Sequence, residues 1–382
     1  MKKIVCLSTS PWYPIPTRKQ QVMGRIQDAE ILYFDPPVTL LAPLKDRTAW
    51  CGLTAFLRGG VKPKDNITVY RLPPVLPFFN RFRWINRLNQ VFQSRFVRRK
   101  MKKHGFEKPV LWTYSPTACD AASRIPHSML VYDCVDRHSA YGGQMSPVVV
   151  DAMEADLARQ CDRVFATAKP LAERLAAYQP NVQFIPNGAD FERFNQAASA
   201  LPCPEDLAAI PTPRFGFVGA LQPCIAYDYL SAAAHAHPDY HFVLIGGEKP
   251  GSDFLDLKQL PNVHFLGLRK NEDLPQYLAN FDALLNLFAE SDLSKDVSPL
   301  KFYEYLATGK PILSTPQPEQ VMQYCDIIRV ADSAEAFVSA CENVLHGDDG
   351  QEARIEAGRQ SAWDARVAQL CAAVWGEETK NP

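Results

Sequence analysis

Short apolar runs alternate with longer helical patterns along almost the whole chain, and this alternation restricts the fold more than any other feature. KIVCLST, VLWTYSP, MLVYDCV, RVFAT and VQFIPN read as buried strands in the first half. RFGFVGAL, HFVLIGG, VHFLGL, ALLNLF, PILST and IIRV read the same way in the second, with helical stretches such as VVVDAMEADLARQC and EDLPQYLANF between strands. Strands buried on both faces and separated by helices build parallel sheets covered on both sides. The expected fold class is therefore α/β, with two doubly wound, Rossmann-like parallel-sheet domains facing across a cleft. A length of 382 residues suits two or three domains. The Ala- and Pro-rich stretch FNQAASALPCPEDLAAIPTPR, residues 194–214, reads as the seam. It divides an N-terminal domain, 1–195, from a C-terminal domain, 205–358, and the tail, about 360–382, is expected to form a helix that packs back.

Composition excludes several classes. A net charge of −1 gives no global attraction for nucleic acid. The ten cysteines form no CxxC pair, which points to reduced thiols and a cytoplasmic setting. The start MKKIVCLSTSPWYP has too short an apolar core for a signal peptide, and no run approaches the length of a membrane span. The first strand lacks a GxGxxG turn, against a dinucleotide oxidoreductase. The histidines show no ligand spacing, so neither a metal site nor a cofactor is expected.

One segment departs from this balance. Residues 71–108 carry eleven Arg and Lys against Glu107 alone, interleaved with Phe78, Phe79, Phe82, Trp84, Phe92 and Phe96. Basic and aromatic residues on one helix suit an anionic membrane surface. The alternative is a solvated helix face with its aromatics in the core.

Candidate chemistry lies at strand ends. DVSPLKFYEYLATG, residues 296–309, runs into the strand KPIL. Pro299 suits a first helical turn and Ser298 is placed to cap it. The free N–H groups there, with the helix dipole, make an anion site to which Lys301 adds a full charge. Glu304 shares a face with Lys301, and its carboxylate can accept two hydrogen bonds from a diol. The alternative is an ordinary helix whose Lys301 and Glu304 form a surface pair.

MLVYDCVDRH places Asp133 and Asp136 at the end of a buried strand, with His138 just beyond. Asp136 is the better candidate for taking a proton from a hydroxyl, while Asp133 could equally brace the loop. SPWYPIPTRKQQ joins the first strand to the first helix, where loops line the crevice. There Trp12 could stack on a sugar or lipid-linked ligand, and Arg18, Lys19 and Gln20 could meet phosphate or hydroxyls. A proline-stiffened loop with a partly buried Trp12 is the alternative. Arg269 and Lys270 in LGLRKNED sit at another strand end, in a ligand-facing loop or a plain charged turn.

SPLKFYEYLATGKPIL resembles the donor-site signature of the GT-B glycosyltransferases of the teichuronic-acid and capsular-polysaccharide type, in or near family 4. SPWYPIPTRKQQ, VYDCVDRHSAY, FIPNGADFERF, FVGAL, NVHFLGLRKNEDLPQYLANFDALL and SAWDARVAQL agree in order, so the resemblance spans roughly residues 1–45 and 108–375. It implies an acceptor-side N-terminal domain and a nucleotide-sugar-binding C-terminal one. It also implies that Glu304 holds the nucleotide ribose and that Asp296, one methylene shorter than the family's glutamate, contacts the donor sugar. Amides near Ser298, Pro299 and Leu300 would hold the diphosphate, a turn at Gly219 would border it, and the Arg269 loop would cover the base. Many retaining members carry an Arg and a Lys after the glycine matched by Gly219. GALQPCIAYDYL has neither, which leaves Lys301 to supply that charge.

The expected function is metal-independent transfer of a sugar from a UDP-sugar to a saccharide acceptor linked to polyprenyl diphosphate, in surface polysaccharide biosynthesis. The setting expected is cytoplasmic, on the inner face of the membrane. Family 4 implies retention. Similarity to the xanthan glucuronosyltransferases, which invert, keeps open inversion with Asp136 as base. A nucleotide-sugar epimerase of the same architecture and a non-catalytic polysaccharide-assembly protein are the alternatives.

Overall fold

The computed structural model describes residues 1–14, 16–45, 50–140, 145–249, 251–347 and 349–376. The chain divides into two compact units. The first comprises Met1–Pro186 and the chain from Val367 onward; the second is Asn187–Arg366.

The first unit holds an eight-stranded sheet. Its strands are β1 (Lys2–Leu7), β2 (Ala29–Asp35), β3 (Val61–Lys64), β4 (Ile67–Arg71), β5 (Val110–Thr113), β6 (Met129–Cys134), β7 (Arg163–Ala166) and β8 (Val182–Phe184). They lie in the order β3-β4-β2-β1-β5-β6-β7-β8, parallel throughout except at the antiparallel β3–β4 edge. The second unit holds an all-parallel six-stranded sheet of β9 (Arg214–Val218), β10 (His241–Ile245), β11 (Val263–Gly267), β12 (Ala283–Asn286), β13 (Ile312–Ser314) and β14 (Arg329–Val330). Its order is β11-β10-β9-β12-β13-β14. Both sheets begin in the middle, wind to one edge and resume on the other side of the first strand. The reversals fall between β1 and β5 and between β9 and β12, where doubly wound sheets bind ligands beyond the carboxyl ends of the strands.

The central strands are apolar on both faces, as a parallel sheet demands. Ile4, Val5, Leu111, Val131, Phe215, Val243 and Leu284 are all buried. Eleven of the fourteen strands coincide with the apolar runs read from sequence; β2, β3 and β4 are additional.

The unit boundary lies at Pro186–Asn187 rather than within residues 194–214. That stretch is Ala- and Pro-rich, yet Phe194, Ala197, Leu207 and Ile210 are buried in the core of the second unit. The tail forms two helices, Gln351–Gln360 and Trp363–Trp375. The first packs on the helix Leu300–Thr308: a Cβ on Gly358 would lie 2.6 Å from the Ala307 nitrogen. The end of the second belongs to the first unit, where Arg163 Nε donates to Ala373 O at 2.9 Å and Lys2 Nζ lies 4.5 Å from the Trp375 ring centre. The expected tail helix ends at Trp375, and its last six residues lie outside those described. Among the described residues no helix is long and apolar enough to cross a membrane.

The helix Arg83–Lys103 turns polar residues inward over its middle turns. Its buried face carries Asn86, Asn89, Gln90, Gln93 and Ser94 between apolar Ile85 at one end and Val97 and Met101 at the other, while Trp84, Leu88 and Phe92 are exposed by 61%, 44% and 61%. These three recur every four residues and so form one stripe. The aromatics of this helix are therefore not simply its core face.

Candidate functional site

In the second unit the helix Leu300–Thr308 buries Phe302, Tyr303, Tyr305 and Leu306. Tyr305 locks it to the sheet: Val218 N–H donates to the tyrosine oxygen at 2.8 Å, and the hydroxyl reaches Val218 O at 3.3 Å. Val218 is the last residue of β9, so this contact fixes the helix beside Gly219 at the carboxyl end. At the other terminus the buried Arg354 donates to Gly309 O at 3.1 and 3.0 Å, closing the helix with a cation at the negative end of its dipole.

The helix start differs from expectation. Pro299 occupies the cap position rather than the first turn, and no side chain caps the helix. Ser298 Oγ instead accepts from Asn187 N–H at 3.1 Å, and Asn187 Nδ2 donates to Ser298 O at 2.7 Å. The serine is thus spent on holding the strand-to-helix segment against the first residue of the unit. Asn187 is a positioning residue that the sequence reading did not single out. The start at Leu300 keeps its free N–H groups, which is what an anion site needs.

Lys301 and Glu304 share one helix face but form no ion pair, and among the described residues neither has a hydrogen-bond partner. The expected surface-pair alternative is therefore not what is found. The Lys301 ammonium lies 3.7 Å from the Phe217 ring centre and 4.6 Å from that of Phe288. Its Cδ stands 3.5 Å from where a Cβ of Gly219 would be. Burial lowers its pKa to about 7, against upward pulls from Cys224 and Glu304. Burial raises the Glu304 carboxyl to about 7, with Arg193 and Lys301 opposing and Asp190 adding to the rise. Two desolvated, unpaired groups of opposite sign at a strand-end turn have the electrostatics of a ligand site.

Gly219 closes its turn by donating to Ile245 O at 2.9 Å. Gly246, at the end of β10, is a further requirement of this corner, since a Cβ there would sit 1.8 Å from Gly219 O. Asp296 is buried in the segment between the helices Asp292–Lys295 and Leu300–Thr308. Arg269 is committed to neighbouring groups of the protein. Its guanidinium pairs with Asp206, donates from Nε to the Tyr277 hydroxyl at 2.8 Å and from Nη1 to Leu268 O at 3.0 Å. These contacts lower the pKa of Asp206 and make the loop a braced turn rather than a free cationic arm.

In the first unit the loop after β1 separates into structural and open parts. Arg18 donates through Nε to both Asp133 oxygens at 3.0 Å and through Nη1 to Pro186 O at 3.0 Å, with Arg18 and Asp133 only 2% and 0% exposed. This corrects the expectation that Arg18 meets an acceptor, and it assigns Asp133 the bracing role. Gln20 is corrected likewise, because its Oε1 accepts from Thr17 N–H at 2.8 Å and its Nε2 donates to Pro11 O, fixing the helix start. Trp12 is half-buried edge-on to Tyr33, with ring centres 5.0 Å apart, and its backbone N–H donates to Asp35 Oδ1 at 2.8 Å.

Lys19, Asp136 and His138 remain together on the wall of a cavity of about 460 Å³. It opens beyond the carboxyl ends of β1, β2, β5 and β6, at the reversal between β1 and β5. Burial lowers the pKa of Lys19, against pulls from Asp136 and Asp133, and burial also lowers that of His138, whose Nε2 lies 3.0 Å from Tyr114 O.

Two doubly wound sheets, each with its reversal beside the first strand, give this chain the fold of the GT-B glycosyltransferases. Residues 212–347 match the family model described as glycosyl transferases group 1, so the second half carries a domain of that group. TuaH of Bacillus subtilis, named as a teichuronic acid biosynthesis glycosyltransferase, is 26% identical over 287 residues, covering 69% of this chain and 71% of its own. Among solved structures, sucrose-phosphate synthase of Thermosynechococcus elongatus superposes with a TM-score of 0.69 at 13% identity over 98% of both chains. HepE of Anabaena in complex with UDP gives 0.68 at 14% identity over 99% of this chain and 100% of that one. The E. coli trehalose-6-phosphate structure bound with UDP-2-fluoro glucose gives 0.70 at 10% identity over 98% and 99%.

Proposed function

We propose that the protein transfers a sugar from a UDP-sugar to a saccharide acceptor carried on polyprenyl diphosphate, in surface polysaccharide biosynthesis. The observation that carries this is the unpaired, desolvated Lys301 and Glu304 on one face of a helix locked beside Gly219. In this reading the N–H groups at the helix start and the Lys301 ammonium take the diphosphate, whose charge grows as the sugar leaves. Glu304 accepts from the two ribose hydroxyls. UDP in the sites of structures of like fold supports the choice of nucleotide.

Glu304→Ala is expected to weaken UDP binding by about 1–3 kcal/mol, as unmade charged hydrogen bonds do. Equal affinity in a calorimetric titration of the two proteins removes Glu304 from the ribose site.

The chemistry has two forms. Retention follows a front-face route assisted by the donor's own phosphate; inversion uses Asp136 as base. Asp136 lines the cavity and, among the described residues, has no hydrogen-bond partner on its carboxylate. If it is the base, Asp136→Asn cuts turnover by about 10²–10⁴-fold, leaves donor affinity unchanged, and the product is inverted. A retained linkage by proton NMR, with near-normal turnover of the variant, eliminates that role.

The exposed Trp84, Leu88 and Phe92, followed along the helix by Arg95, Arg98 and Arg99, favour attachment to an anionic membrane surface. Replacing Arg95, Arg98, Arg99 and Lys100 by Gln should weaken vesicle binding by roughly 1 kcal/mol per charge. Binding insensitive to these changes and to salt assigns the patch another role.

A further inference from the structure

The helix Arg83–Lys103 raises a physical question. A helix that exposes Trp84, Leu88 and Phe92 while turning five polar residues inward gives up apolar burial and desolvates amides. Two of those amides are explained by the fold. Asn86 Nδ2 donates to Thr117 O at 3.0 Å and Asp120 at 2.7 Å. Asn89 exchanges hydrogen bonds with Leu76 N–H and O at 2.9 and 3.1 Å.

Gln90 and Gln93 are not explained in this way. Gln90 makes one long contact, Nε2 to Asn86 Oδ1 at 3.4 Å. Gln93 is 6% exposed, and among the described residues its Nε2 has no partner. A buried amide left unpaired is unfavourable unless something else satisfies it. Both residues line the cavity of about 460 Å³ that Lys19 and Asp136 also line. That volume lies within the roughly 300–1,000 Å³ of small-molecule sites.

We propose that this cavity is a subsite for an uncharged, hydroxyl-rich sugar ring, held by the unpartnered amide of Gln93 and the weakly held one of Gln90. The proposal rests on the glycosyltransferase reading and deepens it by naming the class of the acceptor residue. Carboxamides suit sugar hydroxyls because each offers two donors and an acceptor at fixed angles. Leu72, Val75 and Phe79 add apolar wall for the C–H face of a ring. Lys19 and Asp136 are the charged residues among those lining the cavity, and they balance. Among the described residues no arginine lines it, and an anionic sugar would meet the Asp136 carboxylate as well as the Lys19 ammonium. The same helix would then meet the lipid surface with its outer stripe and the acceptor's sugar with its inner one.

The test is saturation-transfer NMR on the full chain without donor. The probes are methyl glucoside and N-acetylglucosamine, compared with glucuronate and glucose 6-phosphate. Signal is expected from the neutral sugars alone, falling at least fivefold in Gln93→Leu and Gln90→Leu. The melting temperature of both variants is expected to hold or rise, because one removes an unpartnered buried amide and the other an amide with a single long contact. A purely structural glutamine would lower the melting temperature and leave the sugar signal intact. Preference of the wild type for the anionic sugars, no signal from any of the four, or signal unchanged in the variants overturns the proposal. Uridine diphosphate titrated into the same wild-type sample reads the donor site separately: bound nucleotide without a sugar signal fails this proposal alone, and no bound nucleotide fails the wider reading.

Discussion

Each unit places a pair of opposite charges near the carboxyl ends of its central strands, Arg18 with Asp133 and Lys301 with Glu304, and the two pairs are opposite in construction. Arg18 and Asp133 meet at 3.0 Å in full burial, with Nη1 of the arginine on Pro186 O and its Nη2 without a partner among the described residues. Lys301 and Glu304 also lie on desolvated ground, yet they have neither each other nor another polar partner among the described residues. A buried pair joined by direct charged hydrogen bonds is a brace, and removing one member leaves an uncompensated charge. Two unpaired groups, each drawn toward its neutral form by burial, are unfavourable to the fold, and they suit the phosphate and hydroxyls of the proposed donor. Residue type does not separate these roles; partnership does.

The largest consequence falls on the brace. Arg18→Ala should destabilise the fold by about 3–5 kcal/mol in urea denaturation, because Asp133 would be left charged and buried. A variant of normal stability with a raised acceptor KM would return Arg18 to the binding role its sequence context implies.

Next in size is Lys301→Met. The helix should keep or gain thermal stability, since a desolvated ammonium between Phe217 and Phe288 is replaced by an apolar chain of similar shape. Nucleotide-sugar binding should weaken by about 1.5–3 kcal/mol, the range for hydrogen bonds to charged groups. Loss of stability with unchanged binding would make Lys301 a second brace and erase the contrast between the units.

The smallest effect is expected at Arg269. Its pair with Asp206 is partly exposed, so Arg269→Gln should shift stability by no more than about 1 kcal/mol and leave nucleotide affinity unchanged. Weaker nucleotide binding by the variant would show that the guanidinium leaves Asp206 for the base.

The second unit was legible because its central strands, β9, β10, β12 and β13, are short and mostly apolar, as strands buried on both faces of a parallel sheet are. In the first unit β2, AEILYFD, carries the same kind of signal and could have been read. β4, ITVYR, is short and mixed, and β3, VKPK, is an edge strand with almost no apolar content. The seam was misplaced because Ala and Pro suggest a linker, whereas the spacing of Phe194, Ala197, Leu207 and Ile210 records a packed segment. Arg18 could not be placed from its neighbours, since its partner is 115 residues away and only the fold joins them. Lys301 and Glu304 were legible as a face, because helical spacing is local. That they stand apart and desolvated depends on Phe217 and Phe288, which come from other strand ends. The helix Arg83–Lys103 showed its basic and aromatic content plainly, but not which face turns inward, because periodicity locates a stripe without saying which stripe is buried.

The contrast between the units is tested most directly by the pH dependence of UDP-glucose affinity, a ligand whose diphosphate does not itself titrate near neutrality. The binding form is the charged lysine with the ionised glutamate. Above about 7 the free Lys301 has lost its proton and must regain it on binding, so affinity should fall by up to roughly tenfold per pH unit. Below about 7 the free Glu304 is protonated and must release its proton, so affinity should fall on that side as well. The account predicts a maximum near neutrality, an alkaline limb missing in Lys301→Met and an acid limb missing in Glu304→Gln. A flat profile in the wild type, or a bell that survives in both variants, would contradict it.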